Sequence, residues 1–186
     1  MATTTREQLL RVALDEFTRA GYAGTSLQRI ADATGTSKAS VLYHFASKEV
    51  LLAAVLEPAC LAIEEILRGL EGRPFTRERR EAFVVEFVDF LLAHRQAVHI
   101  FVNQSNSGVD APVFERTDAL VARIADVFDR EEYSVETRIR FGIALAGSAY
   151  MLVQGDMHEQ LPQPLPTMRA ALITVMTELL APVDQE

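Results

Sequence analysis

Apolar residues recur along most of this chain at the three- and four-residue spacing of amphipathic helices, and no stretch alternates as a strand would. Leu10, Ala13, Leu14 and Phe17 fall at i, i+3, i+4 and i+7, and Gly21 is placed to stop that first helix. A run of Thr before Arg6-Glu7 supplies N-caps and an early acid. A short second helix starts at Thr25-Ser26, buries Leu27, Ile30 and Ala31, and ends at Gly35. After Thr36 a third runs from Ser37 to Tyr43, and Ser47 caps a fourth that continues to about Leu67 with Pro58 inside it.

Five more helices are expected after the Gly69, Gly72, Pro74 break. Thr76 caps a fifth to about His94, apolar nearly all round in its middle from Phe83 to Leu92, as a helix inside a bundle is. A sixth spans roughly Gln96 to Gln104 and is followed by the Asn106-Ser107-Gly108 loop. Pro112 opens a seventh to about Phe128, lined by Val113, Thr117, Leu120, Ile124 and Val127. Ser134 caps an eighth to about Gln154, Pro162, Pro164 and Pro166 mark a loop, and the last helix carries Met168, Leu172, Val175 and Leu179. The expected class is all-α: three N-terminal helices in residues 1–48, then a larger helical domain over 49–186.

Composition narrows the function. Apolar residues make up 49% and charged residues 24%, ordinary for a globular chain, and no window is apolar enough to span a membrane. The opening residues Met1 to Glu7 hold no apolar signal core, and a single cysteine, Cys60, forms no internal disulfide; both point to the cytoplasm. A net charge of −8 argues superficially against nucleic acid, but residues 1–50 hold six basic against five acidic side chains, leaving 12 against 21 for the remainder. An acidic body would confine contact with phosphates to the N-terminal segment.

The two short helices between Ser26 and Tyr43, joined by a tight Gly-containing turn, form a helix-turn-helix pattern. In that motif the second helix enters the major groove with its first residues at base edges, so small or polar residues are needed there. Thr36, Ser37, Lys38, Ala39 and Ser40 fit, and Val41, Leu42 and Phe45 can hold the helix from its inner face. Tyr43, His44 and Lys48 stand at or just past its end, suited to phosphate oxygens. The helix starts at Thr25-Ser26 and Ser47-Lys48 add backbone donors.

The runs Gly21-Tyr22-Ala23-Gly24-Thr25-Ser26-Leu27-Gln28-Arg29-Ile30-Ala31, Gly35-Thr36-Ser37-Lys38-Ala39-Ser40-Val41-Leu42-Tyr43-His44-Phe45 and Ser47-Lys48-Glu49-Val50-Leu51-Leu52 resemble the DNA-binding region of the TetR family of transcriptional regulators. The resemblance covers about residues 6–55. It implies phosphate contacts from Thr25, Ser26, Tyr43, His44 and Lys48, and base contacts from Ser37, Lys38, Ala39 and either Gln28 or Arg29. Ala39 offers only a methyl group, so discrimination would lean on Lys38, Ser37 and Ser40. It also implies a homodimer built on the helices near 134–155 and 166–181, a palindromic double-stranded operator, and a repressor released by a small-molecule effector. A ligand-dependent activator of the same family is the alternative, and an all-α carrier or enzyme with a vestigial motif is the more distant one.

For a largely apolar effector, Phe83, Phe87, Phe90, Phe101, Tyr150 and Met151 are candidate cavity residues, with Asn103, Gln104 and Gln154 as polar candidates. Each of the aromatics is also an ordinary core residue. Glu86 and Asp89, three apart in an otherwise apolar helix, form either a solvated strip or an anionic pocket wall. His94 and His99, five apart, point in divergent directions on a helix, and with His158 they make no metal site. No Gly-rich phosphate loop, nucleophile elbow or His-Glu-x-x-His is present, so neither an enzyme nor a cofactor is expected.

Overall fold

The computed structural model describes residues 5–104, 112–128, 133–157 and 165–181. Among them lie nine helices and no strand: α1 (Thr5–Gly24), α2 (Leu27–Thr34), α3 (Lys38–His44), α4 (Lys48–Leu70), α5 (Arg77–Ala93), α6 (Arg95–Gln104), α7 (Pro112–Phe128), α8 (Val135–Met157) and α9 (Leu165–Leu180). The starts follow local capping chemistry. Ser26, Ser37 and Thr76 are extended N-caps whose hydroxyls accept from the N–H three residues on. The α4 helix passes through Pro58 without ending. By their contacts, residues 1–60 with 96–118 form one compact unit, and residues 61–95 with 119–186 form another.

In the first unit α2 packs on α1 and on α3. Gly21 has φ 70° and ψ 168°, so α1 breaks there and resumes to Gly24 instead of stopping. The buried stripe of α1 is Leu9, Ala13, Phe17, whereas Leu10 and Leu14 are only half-buried. The two stripes overlap, and the side that α2 covers selects between them. Ile30 and Ala31 of α2 are fully buried, with Leu27 at the margin. On α3, Val41 and Phe45 are buried one turn apart, but Leu42 is 41% exposed and does not belong to the inner face. A residue one step from Val41 is rotated by about 100° around the helix, too far to share its burial.

In the second unit α5 packs on α9 and α8, and α8 on α9. Phe83, Val84, Phe87, Val88 and Leu91 of α5 are buried while Val85, Glu86 and Asp89 face out, so the helix is less enclosed than its sequence suggests. Asp89 is paired with Arg169, whose Nη2 donates to it at 2.8 Å, and that hydrogen bond lowers the Asp89 pKa. The core is aromatic: Phe128 stacks on Phe141 with centroids 4.3 Å apart, and Phe75 meets Phe83, Phe128 and Phe141 within 6.0 Å. On α9 the buried residues are Met176 and Leu180, while Val175 of the expected stripe is 52% exposed. On the part of α7 in this unit, Leu120 and Phe128 are buried, with Ile124 and Val127 at the edge, while Val113, Phe114 and Thr117 are buried residues of the first unit. No described helix is long and apolar enough to cross a membrane.

Candidate nucleic-acid interface

The turn between α2 and α3 is set by Gly35, left-handed at φ 66° and ψ 26°. That conformation lets the Thr36 N–H reach the Ala31 carbonyl at 2.9 Å, closing α2 so that α3 can start two residues later. Glycine suits this corner because a side chain would be strained in that conformation. Lys38, Ala39 and Tyr43 are exposed, Tyr43 at 86%, and Ser40 and His44 are half-exposed. The Tyr43 and His44 rings meet edge to face at 5.3 Å. An outward ring of this size leaves its hydroxyl available to a phosphate and gains nothing from the core.

The other expected contacts divide by what the fold asks of them. The Ser26 and Ser37 hydroxyls accept from Arg29 N and Ser40 N, both at 3.1 Å, so they serve as helix caps. Gln28 donates to Asp32 at 2.7 Å along the outer face of α2, and Thr36 bonds Thr34 at 3.0 Å. Thr25 is 2% exposed and its hydroxyl donates inward to the carbonyls of Glu16 and Gly21, at 3.1 and 2.8 Å. The Lys48 ammonium donates to the carbonyls of Tyr22 and Thr25, at 2.8 and 3.0 Å. It also lies 4.0 Å from the Tyr22 ring centre. Arg29 donates through Nε to Glu16, which also accepts from Arg19 at 2.7 Å.

Three groups here were not singled out from the sequence: Glu16, Tyr22 and Glu49. The Tyr22 hydroxyl donates to Glu49 at 2.6 Å. Led by this bond, the surroundings of Glu49 lower its pKa from 4.5 to about 2; burial and the same carboxylate raise that of Tyr22. The Phe114 ring of α7 meets Tyr22 edge-on at 6.3 Å. Glu16 was detectable, because an acid inside the Ala13–Phe17 stripe must find cationic partners.

The candidate effector residues are scattered. Phe83 and Phe87 stand in the aromatic core of the second unit, and Phe90 continues the line 6.1 Å from Phe87. Tyr150 and Met151 are 55% and 60% exposed. Phe101 and Asn103 belong to the first unit, where the Asn103 amide donates to the His99 carbonyl at 3.0 Å. The side chains of Gln104 and Gln154, the Asn106-Ser107-Gly108 loop, His158 and the Pro162–Pro164 stretch lie outside the described residues. A surface cleft of about 260 Å³ in the second unit is lined by Leu70, Glu71, Gly72, Arg123, Asp126 and Val127, none of them a candidate. No described group of three or more His, Cys, Asp or Glu side chains could hold a metal.

A sequence model described as "Bacterial regulatory proteins, tetR family" matches residues 9–55, the stretch that builds this motif. The HTH-type transcriptional regulator RutR of Escherichia coli is 47% identical over 51 residues, covering 27% of this chain and 24% of RutR. The HTH-type transcriptional activator FasR of Mycolicibacterium smegmatis is 31% identical over 130 residues, 68% of this chain and 59% of FasR. The chain thus spans about a quarter and under two thirds of these relatives' lengths. Among solved structures, the ketosteroid transcriptional regulator KstR2 of Mycobacterium tuberculosis superposes with a TM-score of 0.72 at 18% identity, covering 97% of this chain and 95% of that one. The similar proteins are regulators, not enzymes. With its helix-turn-helix segment matched in sequence and its helical architecture matched along nearly its whole length, this chain carries the DNA-binding segment of the TetR family on an all-α fold shared with KstR2.

Proposed function

We propose that the chain is a ligand-responsive repressor that binds a palindromic operator as a homodimer in the cytoplasm and is released by a small, largely apolar effector. The observation that carries this reading is the rigid Gly35 turn presenting Lys38, Ala39 and Tyr43 outward within the matched segment. Residues 1–48 serve DNA, and residues 49–186 serve effector binding and dimerisation. The effector residues are drawn from Phe83, Phe87, Phe90, Phe101, Asn103, Gln104, Tyr150, Met151 and Gln154.

Dimerisation is supported by α8, where Val135, Ile139, Ile143 and Tyr150 are each more than half exposed on one broad face. Gly142 and Ala146, also exposed, allow close helix approach there. A contiguous apolar face of this kind marks an interaction surface. Two subunits would set their α3 helices on half-sites roughly 34–36 Å apart, or a multiple. Effector binding would act through α4, whose first turn is bonded to Tyr22 and Thr25. The shift it can produce is limited to the effector's differential affinity for the two spacings.

The second reading, an activator with the same DNA contacts, is favoured by one observation: FasR, similar over 68% of this chain, is an activator. Selection from a random DNA pool tests the reading. The wild type should enrich a palindrome that a Lys38→Ala, Tyr43→Ala double variant loses, with affinity falling steeply with salt. Transcription from a promoter carrying that sequence separates repression from activation. Failure to enrich any sequence, with or without a panel of apolar small molecules, would remove the DNA-binding reading.

A further inference from the structure

One buried carboxylate holds one arginine from each of the first two helices. Glu16 is 5% exposed, between Ala13 and Phe17 on the inward face of α1. Its Oε1 accepts from Arg19 Nη2 at 2.7 Å, its Oε2 from Arg29 Nε, and its main-chain carbonyl from the Thr25 hydroxyl at 3.1 Å. Arg29 stands in the first turn of α2, its own N–H capped by Ser26. A guanidinium has five donors in a rigid fork. Glu16 takes the one on Nε, and the Arg29 side chain is still 49% exposed, which leaves its terminal nitrogens a path to solvent.

We propose that Glu16 is a positioning residue for operator discrimination, which aims the terminal nitrogens of Arg29 while offsetting one of the two positive charges of Arg19 and Arg29. This rests on the DNA-binding reading. Two physical effects combine. A side chain already held in one geometry loses less rotamer freedom on contact with DNA, which favours the one operator that matches it. With one of its two positive charges offset, the arginine pair also draws fewer phosphates from DNA of arbitrary sequence.

The test is the ratio of operator to random-sequence affinity in the full chain, with Glu16→Gln, Arg29→Lys and the double variant. Glu16→Gln should raise random-sequence affinity, steepen the salt dependence by about one phosphate contact, and lower the ratio about ten-fold. In the Arg29→Lys background, which keeps the charge but has no Nε, the same change should alter the ratio less than about two-fold, because the coupling has been removed. In free protein the Arg29 Nε–H resonance should be slowly exchanging and should become fast in Glu16→Gln. Equal losses for operator and random DNA mean a merely structural role and overturn the proposal, as does a full effect persisting in the Arg29→Lys background. Should Glu16→Gln not fold, the Arg29→Lys ratio and the wild-type resonance decide: an unchanged ratio or a fast-exchanging Nε–H overturns it. A wild type that selects no operator overturns the DNA-binding reading and this proposal together, whereas an operator bound with an unchanged Glu16→Gln ratio sinks this proposal alone.

Discussion

Lys48 and Tyr22 are joined twice: the ammonium donates to the Tyr22 carbonyl at 2.8 Å, and the same ammonium stands 4.0 Å from the centre of the Tyr22 ring. With Glu49 accepting from the Tyr22 hydroxyl, the first turn of α4 is clamped to the end of α1 by two consecutive residues. The first turn of α4 therefore holds the end of α1 directly.

Replacing Lys48 by Ala should cost stability as well as DNA affinity. Two carbonyls, those of Tyr22 and Thr25, lose a charged donor in a half-buried setting. Loss of roughly 1–3 kcal/mol is expected by urea unfolding. If the clamp is the main task of Lys48, the slope of log affinity against log salt falls by clearly less than the ~0.9 of one lost phosphate contact. A full loss of that size with no loss of stability would assign Lys48 to phosphate instead.

Tyr22→Phe removes one hydrogen bond while keeping the ring that packs on Phe17 and Phe114. A loss of about 0.5–1.5 kcal/mol is expected at neutral pH. The sign with pH follows from Glu49, whose pKa falls from 4.5 to about 2 on folding, with the Tyr22 hydrogen bond as the leading cause. The ionised carboxylate stabilises the fold above about pH 4.5, and the contribution disappears as pH falls toward 2. Wild type and Tyr22→Phe should therefore converge in stability across that window, as measured by denaturant midpoints. A difference that stays constant with pH would show that the hydrogen bond does not favour ionised Glu49.

Ile139→Glu with Ile143→Glu should separate the subunits and leave each one folded. Both residues are more than half exposed, so the protomer loses no core, and surface changes of this sort usually stay within about 0.5 kcal/mol. Sedimentation should show a dimer for wild type and a monomer for the variant, with helical content unchanged. A persistent dimer would move the interface away from this face of α8.

Phe141→Ala should be among the most damaging single changes in the second unit. Phe141 is 2% exposed, stacks on Phe128 at 4.3 Å and meets Phe75 and Tyr133 at 5.8 Å. Removing such a ring costs about 3–5 kcal/mol, because its neighbours cannot fully collapse into the space. Thermal unfolding followed by circular dichroism checks this, and a loss below about 1 kcal/mol would mean that the aromatic cluster repacks freely.

For the residues expected at DNA, the exposure of those on α3 was legible because it follows from helical rotation alone: Val41 and Phe45 turn inward, so Lys38, Ala39 and Tyr43 turn outward. The bonding of Thr25 and Lys48 was not legible in the same way. Their residue types suit phosphate, yet here they are bonded to carbonyls at the junction of α1 and α2, which no local pattern reveals. For the effector residues, a buried phenylalanine in a core and one lining a cavity have the same sequence signature.

The helix boundaries were written in the chain because caps and turns are local chemistry. Ser26, Ser37, Ser47 and Thr76 each satisfy an N–H three residues away, and Gly35 takes a conformation that other residues adopt only with strain. Tertiary structure decided the rotation of each helix and the partners of its charges. The buried stripe of α1 shifted to Leu9, Ala13 and Phe17, that of α9 to Met176 and Leu180, and Leu42 was left at the surface. Glu16 found Arg29 across 13 residues, and Lys48 found Tyr22 across 26. Such choices depend on which surface is covered and which cation lies within reach of a buried carboxylate, and these are settled only when distant segments meet.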